Sequence, residues 1–565
     1  MNIPSVLRIL CLGLIAVTPL HAFAQNTVGT LQMTAGLPEG YILFAPSNST
    51  STFLIDRCGR VINQWEADAR PGMGTYFMEN GDLLRTHKIL SGTFIAGGIG
   101  GGIERFNWDG ELVWSDTIAN DTLHLHHDIE PLPNGNLLAI AWEKITSEEA
   151  IARGRNPDYT PDFIWVTRLF ELQPTFPTGS EVVWSWSPWD HLIQNTDPEL
   201  PNYGNPSDYP HRFDVNHAAS AFFSGPGIGQ NAASDWLHVN SVDYHAERDE
   251  IILSSRHWNE IWIIDHSTSE EEAAGNTGGN SGMGGQILWR WGNPETHSRG
   301  DSSDRVFFGQ HDAQFILNDN GPLQVSVFNN GLDYPDGDFS FVHRLNLPLD
   351  ASGDYIEPEI GEAFLPTDPA WTHPPEPDST IYSHNVSGYH PYVPDHNLLC
   401  IGRRGRFLEV SDSHEILWEY VVPINGSDEP AEQGTLPFGN SVFRTTWIPS
   451  DHPGFSGLEL IPGDPIELNP SIESCLVLDD GANPSDDLFL DIWPIPADDF
   501  ITIQLPNSFL DSRATLAIFT VDGRMMHRSF LTHEVHIDTG HWPAGVYIAS
   551  VMTQNRAITK KLILK

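Results

Sequence analysis

One local pattern recurs between residues 30 and 460 and limits the chain to few architectures. It is a short apolar strand, a turn holding Asp, Asn or Gly, and a second strand ending in Trp. It reads Phe53-Leu-Ile-Asp-Arg-Cys-Gly-Arg-Val-Ile-Asn-Gln-Trp65 and again Ile103-Glu-Arg-Phe-Asn-Trp-Asp-Gly-Glu-Leu-Val-Trp114. Further copies run from Leu169 to Trp184, from Ile261 to Trp289 across a Gly/Ser-rich insertion, in degenerate form from Phe341-Val-His-Arg-Leu, and from Phe407 to Trp418. A second hairpin pattern lies between the copies: Tyr76 to Leu84, Ile129 to Leu138, Val242 to Leu253, Ala313 to Val327, and Tyr389 to Ile401. Several of its turns carry Asn-Gly, which supplies the two positive φ angles of a tight hairpin turn. Two hairpins per unit give a four-stranded blade, and about six units give a β-propeller, an architecture that leaves only short, protected sheet edges. The recurring Trp is expected to pack between blades, because a large aromatic buries most area where two sheets face.

The composition agrees. With 49 Gly, 42 Pro and 18 Trp among 565 residues, the chain is rich in turns and aromatics, as all-β proteins are. Hydrophobic residues are 40% and charged ones 18%, a globular balance. The 75 acids against 29 bases give a net charge of −46, which repels a phosphate backbone and argues against nucleic-acid binding.

Residues 1–24 carry Arg8, an apolar run from Ile9 to Val17 and the small-x-small ending Ala22-Phe23-Ala24, the layout of a cleaved export signal. The run is too short to span a bilayer, and no other stretch reaches spanning length. The remaining cysteines, Cys58, Cys400 and Cys475, are odd in number and match no zinc or redox spacing. Residues 25–478 form the expected propeller, and the acidic stretch 479–487 a linker. Residues 488–565 form a small β-sandwich with its own alternating strands, such as Leu516-Ala-Ile-Phe519 and Val546-Tyr-Ile-Ala549.

In a propeller the inner strands converge on a central channel, so a site draws residues from several blades. Histidines stand at comparable places: His126-His127-Asp128 in blade two, His238-Val-Asn240-Ser241 in blade three, Gln310-His311-Asp312 in blade four and Ser383-His384 in blade five. Blade six offers Asn440-Ser441-Val-Phe443-Arg444. Such a ring can bind a metal through neutral imidazole, act as acid or base, or supply a covalent nucleophile. His-His-Asp favours a metal, whereas Arg444 disfavours a cation and favours an anionic substrate. The Gly97–Gly102 run lacks an adjacent Lys, so nucleotide binding has no support. A hydrolase or lyase with a metal, or a non-catalytic ligand-binding propeller, are the competing readings.

At these residues the chain resembles the bacterial arylsulfate sulfotransferases. The likeness rests on His126 to Asn136, on Asp235-Trp-Leu-His-Val-Asn-Ser-Val242 followed by Ile251-Ile-Leu-Ser-Ser-Arg256, on Gln310-His311 followed by Phe328-Asn-Asn-Gly331, on Tyr382-Ser-His384 and on Phe443-Arg444. The resemblance covers roughly residues 35–460. It implies a six-bladed propeller that moves a sulfuryl group from a phenolic sulfate ester to a phenol through a sulfohistidine, with neither nucleotide, metal nor other cofactor. Carried over, it implies His384 as nucleophile, with His311 second. His238 and His311 would contact the sulfuryl oxygens or relay the phenol proton. Asn240, Arg444, His127 and Asn330 would bind substrate. The family pattern has an Arg shortly after the Asn-Gly of blade four, where this chain reads Asn330-Gly331-Leu-Asp-Tyr-Pro.

The C-terminal module resembles the type A sorting domains of the type IX secretion system. The matching residues are Trp493-Pro-Ile-Pro-Ala-Asp-Asp-Phe-Ile-Thr502, Ile518-Phe-Thr-Val-Asp-Gly-Arg524, Pro543-Ala-Gly-Val-Tyr547 and Lys560-Lys561. The resemblance implies passage through the periplasm and export to the cell surface or medium, with the secretion machinery as partner.

Overall fold

The computed structural model describes residues 26–217, 234–317, 321–470, 491–493, 500–504, 514–520, 524–531, 534–552 and 557–564. The expected export signal, Cys475 and the 479–487 linker lie outside them. Two compact units emerge, one built mainly from residues 39–471 and the other mainly from 472–565. Among the described residues no helix is long and apolar enough to cross a membrane.

The first unit is a six-bladed propeller. Blade one comprises Pro71–Phe77, Leu83–Lys88, Gly101–Phe106 and Leu112–Thr117, and blade two Leu123–Pro131, Leu137–Thr146, Phe163–Pro174 and Ser180–Trp186. Blade three comprises Val239–His245, Glu250–Ser255, Glu260–Asp265 and Ile287–Trp291. Blade four comprises His311–Ile316, Gln324–Asn329, Phe341–Asn346 and, beyond a long insertion, Trp371–His373. Blade five comprises Gly388–Val393, His396–Ile401, Arg406–Val410 and Ile416–Val421, with Gly29–Met33 added at its outer edge. All five are antiparallel meanders.

Blade six is different, and it explains why the sequence shows six outer hairpins but only five inner ones. Its inner strand, Val442–Pro449, comes from the far end of the domain and pairs with Gly40–Pro46, which continues into Ser51–Ile55 and Val61–Glu66. The ring closes by joining its two ends within one sheet, so the last blade has no inner turn to read.

The Trp of each outer hairpin is buried or nearly so and also hydrogen-bonds across the blade boundary. Indole Nε1 donates from Trp65 to Asn107 O (2.9 Å), from Trp114 to Gly179 O (2.9 Å) and from Trp184 to Thr268 Oγ1 (3.2 Å). It likewise donates from Trp289 to Leu365 O (2.7 Å), from Trp371 to Asp412 O (3.0 Å) and from Trp418 to Arg57 O (2.8 Å). Trp is thus used for area and for its single donor, which a buried indole must satisfy.

At the axis the blades meet on one guanidinium. Arg444 of blade six pairs with Asp128 of blade two (Nη2–Oδ2, 2.6 Å) and Asp312 of blade four (Nε–Oδ1, 2.7 Å). Its Nη1 donates to the Tyr76 hydroxyl of blade one (2.8 Å), which in turn donates to Asp128 (2.9 Å). The backbone N–H of Val242 in blade three donates to Asp128 (3.3 Å), and that of Tyr389 in blade five to Asp312 (3.2 Å). Every blade contributes. Burial alone would lower the Arg444 pKa, and the two carboxylates more than offset it, so its pKa stands well above the ordinary value.

The second unit stacks a three-stranded sheet (Asp491–Trp493, Phe500–Gln504, Glu534–Asp538) on a four-stranded one (Ala514–Thr520, Met525–Leu531, Gly545–Met552, Ala557–Leu564). Ile501, Ile503 and Ile537 of the first meet Leu516, Ile518, Ala549 and Leu562 of the second in one core, a β-sandwich. Cys58 is disulfide-bonded and Cys400 is a buried free thiol.

Replacing Arg444 by Gln strands Asp128 and Asp312 in a buried site. The expected cost is about 3–5 kcal/mol of propeller stability, read as a lower urea midpoint than that of the parent chain.

Candidate active site

The histidines gather where the inner strands begin, on the face that carries the long loops. Here the inner strands of blades two, three and four are irregular, with register breaks opposite Ala139/Ala141, at Val239/Ser241 and at His311/Gln314. His127 (φ 52°) and His238 (φ 49°) adopt left-handed backbone, uncommon for residues with a side chain. Bulges of this kind re-aim side chains. The Gly97–Gly102 run has a packing reason: a side chain on Gly98 (φ +78°) would lie 2.0 Å from the His127 ring, and the His127 N–H donates to Gly98 O at 2.7 Å.

His127 and His238 touch edge to face (centroids 4.6 Å apart), His238 stacks on His257 (4.5 Å), and His126 stacks on Trp142 (4.0 Å). The two Nδ1 atoms of His126 and His127 are 2.8 Å apart, so one donates to the other. Phe443 packs against both His127 (6.1 Å) and His311 (6.2 Å).

Three rings are oriented by fixed partners. Asn330 Nδ2 donates to Ser383 O (2.6 Å) and Val386 O (2.7 Å), so its Oδ1 is the acceptor facing His311 Nδ1 (2.7 Å). Gly309 O also accepts from that nitrogen (3.0 Å). The proton therefore sits on Nδ1, and Nε2 of His311 keeps its lone pair. His238 Nδ1 meets Asp235 Oδ2 at 2.5 Å, and Asp235 Oδ1 accepts from Trp142 Nε1 (3.2 Å), an oriented carboxylate–imidazole pair. His257 Nδ1 donates to Asp235 O (2.7 Å).

His384 stands apart. It is half-buried, and among the described residues its ring has no hydrogen-bond partner; Tyr382 lies beside it (6.4 Å). Burial first, then the charges of Arg403 and Arg256, push its pKa below the imidazole value. Burial and neighbouring positive charge hold His127, His257 and His311 well below it too. These rings are neutral at pH 7.

The sequence placed several residues differently. Arg444, expected to bind substrate, is committed to Asp128 and Asp312 at the axis: its donors face carboxylates, and a third anion is not accommodated there. Asn240 is fully buried and donates to Gln310 O (2.7 Å), joining blades three and four. Asn330 is likewise fully buried and acts by holding His311 and the His384 loop. The repeat alignment also shifts. The side chains of Asp128, Ser241 and Asp312 each accept from the next blade's inner strand, at Val242 N, Ala313 N and Tyr389 N. This makes His127, Asn240, His311 and Ser387 the equivalent set. His238 and His384 precede it by two and three residues. Asp235, His257 and Arg256 were not singled out, although Asp235 opens one resembling stretch and Arg256 closes the next.

Asp235, His238 and His257 offer ligand atoms within 4.8 Å of one another, a possible cation cage. The Asp235 carboxylate is already taken by His238 and Trp142, however, and the charge of Arg256 adjoins His257. That environment suits an anion.

A family model described as Arylsulfotransferase (ASST) matches residues 28–341. The chain belongs to this family. An arylsulfate sulfotransferase, AssT, from Lelliottia amnigena is 30% identical over 166 residues, 28% of this chain and 26% of that relative, so the match spans about a quarter of the relative's length. A secretion system C-terminal sorting domain matches residues 491–565, which marks this arylsulfotransferase-family chain for export. Solved structures align loosely. A protein of unknown function from Bacteroides caccae is 10% identical (73% of this chain, 99% of that one, TM-score 0.38). The periplasmic gluconolactonase PpgL of Pseudomonas aeruginosa is 11% identical (72% and 99%, TM-score 0.34). Neither likeness carries an argument about this site.

Asn330→Ala frees both the His311 ring and the loop bearing His384. Faster amide exchange across residues 383–388 than in the parent chain is expected, because Asn330 supplies the hydrogen bonds that hold Ser383 O and Val386 O.

Proposed function

We propose that this chain is an exported aryl-sulfate sulfotransferase that moves a sulfuryl group between phenols through a sulfohistidine, without a nucleotide donor. The carrying observation is His384: a neutral, half-buried imidazole whose ring nitrogens no described residue occupies, on a loop that Asn330 ties to the oriented ring of His311. Family membership supports the reaction class, and the sorting domain supports secretion by the type IX machinery to the cell surface or medium.

In the first half-reaction an imidazole nitrogen of His384 attacks sulfur. The N–S bond forms as the bond from sulfur to the phenolic oxygen breaks, and the departing phenolate takes a proton from the His238–Asp235 pair. A neutral nucleophile avoids repulsion with the anionic ester, and the loose transition state expected by analogy with phosphoryl transfer places charge on the three peripheral oxygens. In the second half-reaction a new phenol returns that proton to His238, oriented by Asp235. It then takes the sulfuryl group, restoring His384. Kinetics are ping-pong.

The test is incubation with 4-nitrophenyl sulfate, with and without a phenol. Turnover should require the acceptor and no metal. With donor alone, intact mass should rise by one sulfuryl group, and His384→Ala should abolish that gain. Mass gain retained in His384→Ala removes His384 as nucleophile, and acceptor-independent, metal-dependent release overturns transfer altogether.

The pH profile follows from the same ring. The reactive form is neutral, and its pKa lies below 6.5, so the rate should hold as pH falls through 6.5 and decline only beneath it. Single-turnover release of 4-nitrophenol between pH 4 and 8 checks the limb.

A further inference from the structure

An anionic ester entering a protein of net charge −46 needs a local cation. The histidines around the site supply little, because His126, His127, His257, His311 and His384 are held in their neutral forms. Arg444 is fully engaged at the axis. Arg403 is exposed on the rim near His384.

Arg256 has the required placement. It follows directly on the strand Glu250–Ser255, precedes His257, and its backbone N–H donates to His238 O (3.1 Å). Its Nε lies 3.8 Å from the point a Cβ on Gly309 would occupy, two residues before His311, so its stem runs along the segment that presents that ring. It is half-buried, and its charge acts on His127, His257, His311 and His384 alike. Burial lowers it only to about 10, which leaves it fully charged at pH 7. The charges of Asp235 and of the exposed Asp333 act on it.

We propose that Arg256, supplied by blade three, is the cation that binds and positions the sulfuryl oxygens of the donor ester, with Asp333 at the rim opposing the incoming anion. The assignment rests on the transferase reading for its substrate, but anion binding by Arg256 can be measured without turnover. A guanidinium offers a planar pair of donors that fits two oxygens of a sulfate at once, where an ammonium offers a point charge.

Calorimetric titration of the full chain carrying His384→Ala, to suppress transfer, separates charge recognition from general damage. The probes are 4-nitrophenyl sulfate and its uncharged analogue methyl 4-nitrophenyl sulfone. Arg256→Gln should weaken the sulfate ester at least about ten-fold, the loss of a charge-assisted hydrogen bond, and leave the sulfone within about two-fold, with Arg256→Lys intermediate. Equal binding of the ester by Arg256→Gln and its parent overturns the proposal, and so does parallel loss of ester and sulfone. If Arg256→Gln fails to fold, Asp333→Asn decides the matter, since removing that exposed carboxylate should tighten the ester and not the sulfone. An unchanged ester affinity there counts against Arg256. Should the chain with His384 intact bind the ester but never transfer the group, the transferase reading fails while the anion site stands.

Discussion

One buried cation organises the propeller. The guanidinium of Arg444 and its two carboxylates are the point at which side chains or backbone from all six blades converge, with Asp128 and Asp312 both paired to it and Tyr76 completing its shell. A buried ion pair adds little net stability against an apolar alternative, but losing one partner is costly. The arrangement therefore fixes register around the ring more than it adds free energy. Blade six, which has no inner turn to set its register, is the blade that carries the arginine. Ring closure and the axial ion network are thus one event.

That commitment shapes the chemistry above it. Phe443, the residue before Arg444, packs against His127 and His311. On the same inner strands, beyond the ion network, lies a cavity of about 370 Å³ lined by Glu130, Asp243, Asp312 and Arg444. Its carboxylates are pushed upward by burial, Asp243 to about 7 and Asp312 to about 6. The strand starts hold neutral imidazoles and an arginine, and the later strand positions hold acids whose charged forms burial disfavours. A strongly acidic protein can offer an anion a local site when its nearby carboxylates are spent, as Asp235 is on His238 and Trp142.

Much of this was legible beforehand, and the failures are instructive. Six outer hairpins, five ending in Trp and one degenerate, and five inner hairpins point to six blades, because strand alternation and turn chemistry are local. The missing sixth inner hairpin was itself the mark of closure, a pairing across some 400 residues that no local signal encodes. The histidines were found as a set, yet their blade-to-blade alignment slipped. Bulges insert residues without changing composition, so His238 and His384 fall outside the equivalent position held by His127, Asn240, His311 and Ser387. Arg444 stands out in the sequence by its charge, but a charge in sequence does not show which anions face it, here Asp128 and Asp312. Arg256 was visible only as the last letter of a matching stretch.

The sequence by itself determined the repeat, the all-β class, the sandwich at the C-terminus and the inventory of imidazoles, because each depends on neighbours within a dozen residues. Only the tertiary structure decided which arginine is structural and which adjoins the site, which His nitrogens carry protons, and that the His384 ring has no hydrogen-bond partner among the described residues. Those properties are set by burial and by partners from other blades. Tautomer and charge follow from the field of the assembled ring, and that field does not exist until six blades have closed around Arg444.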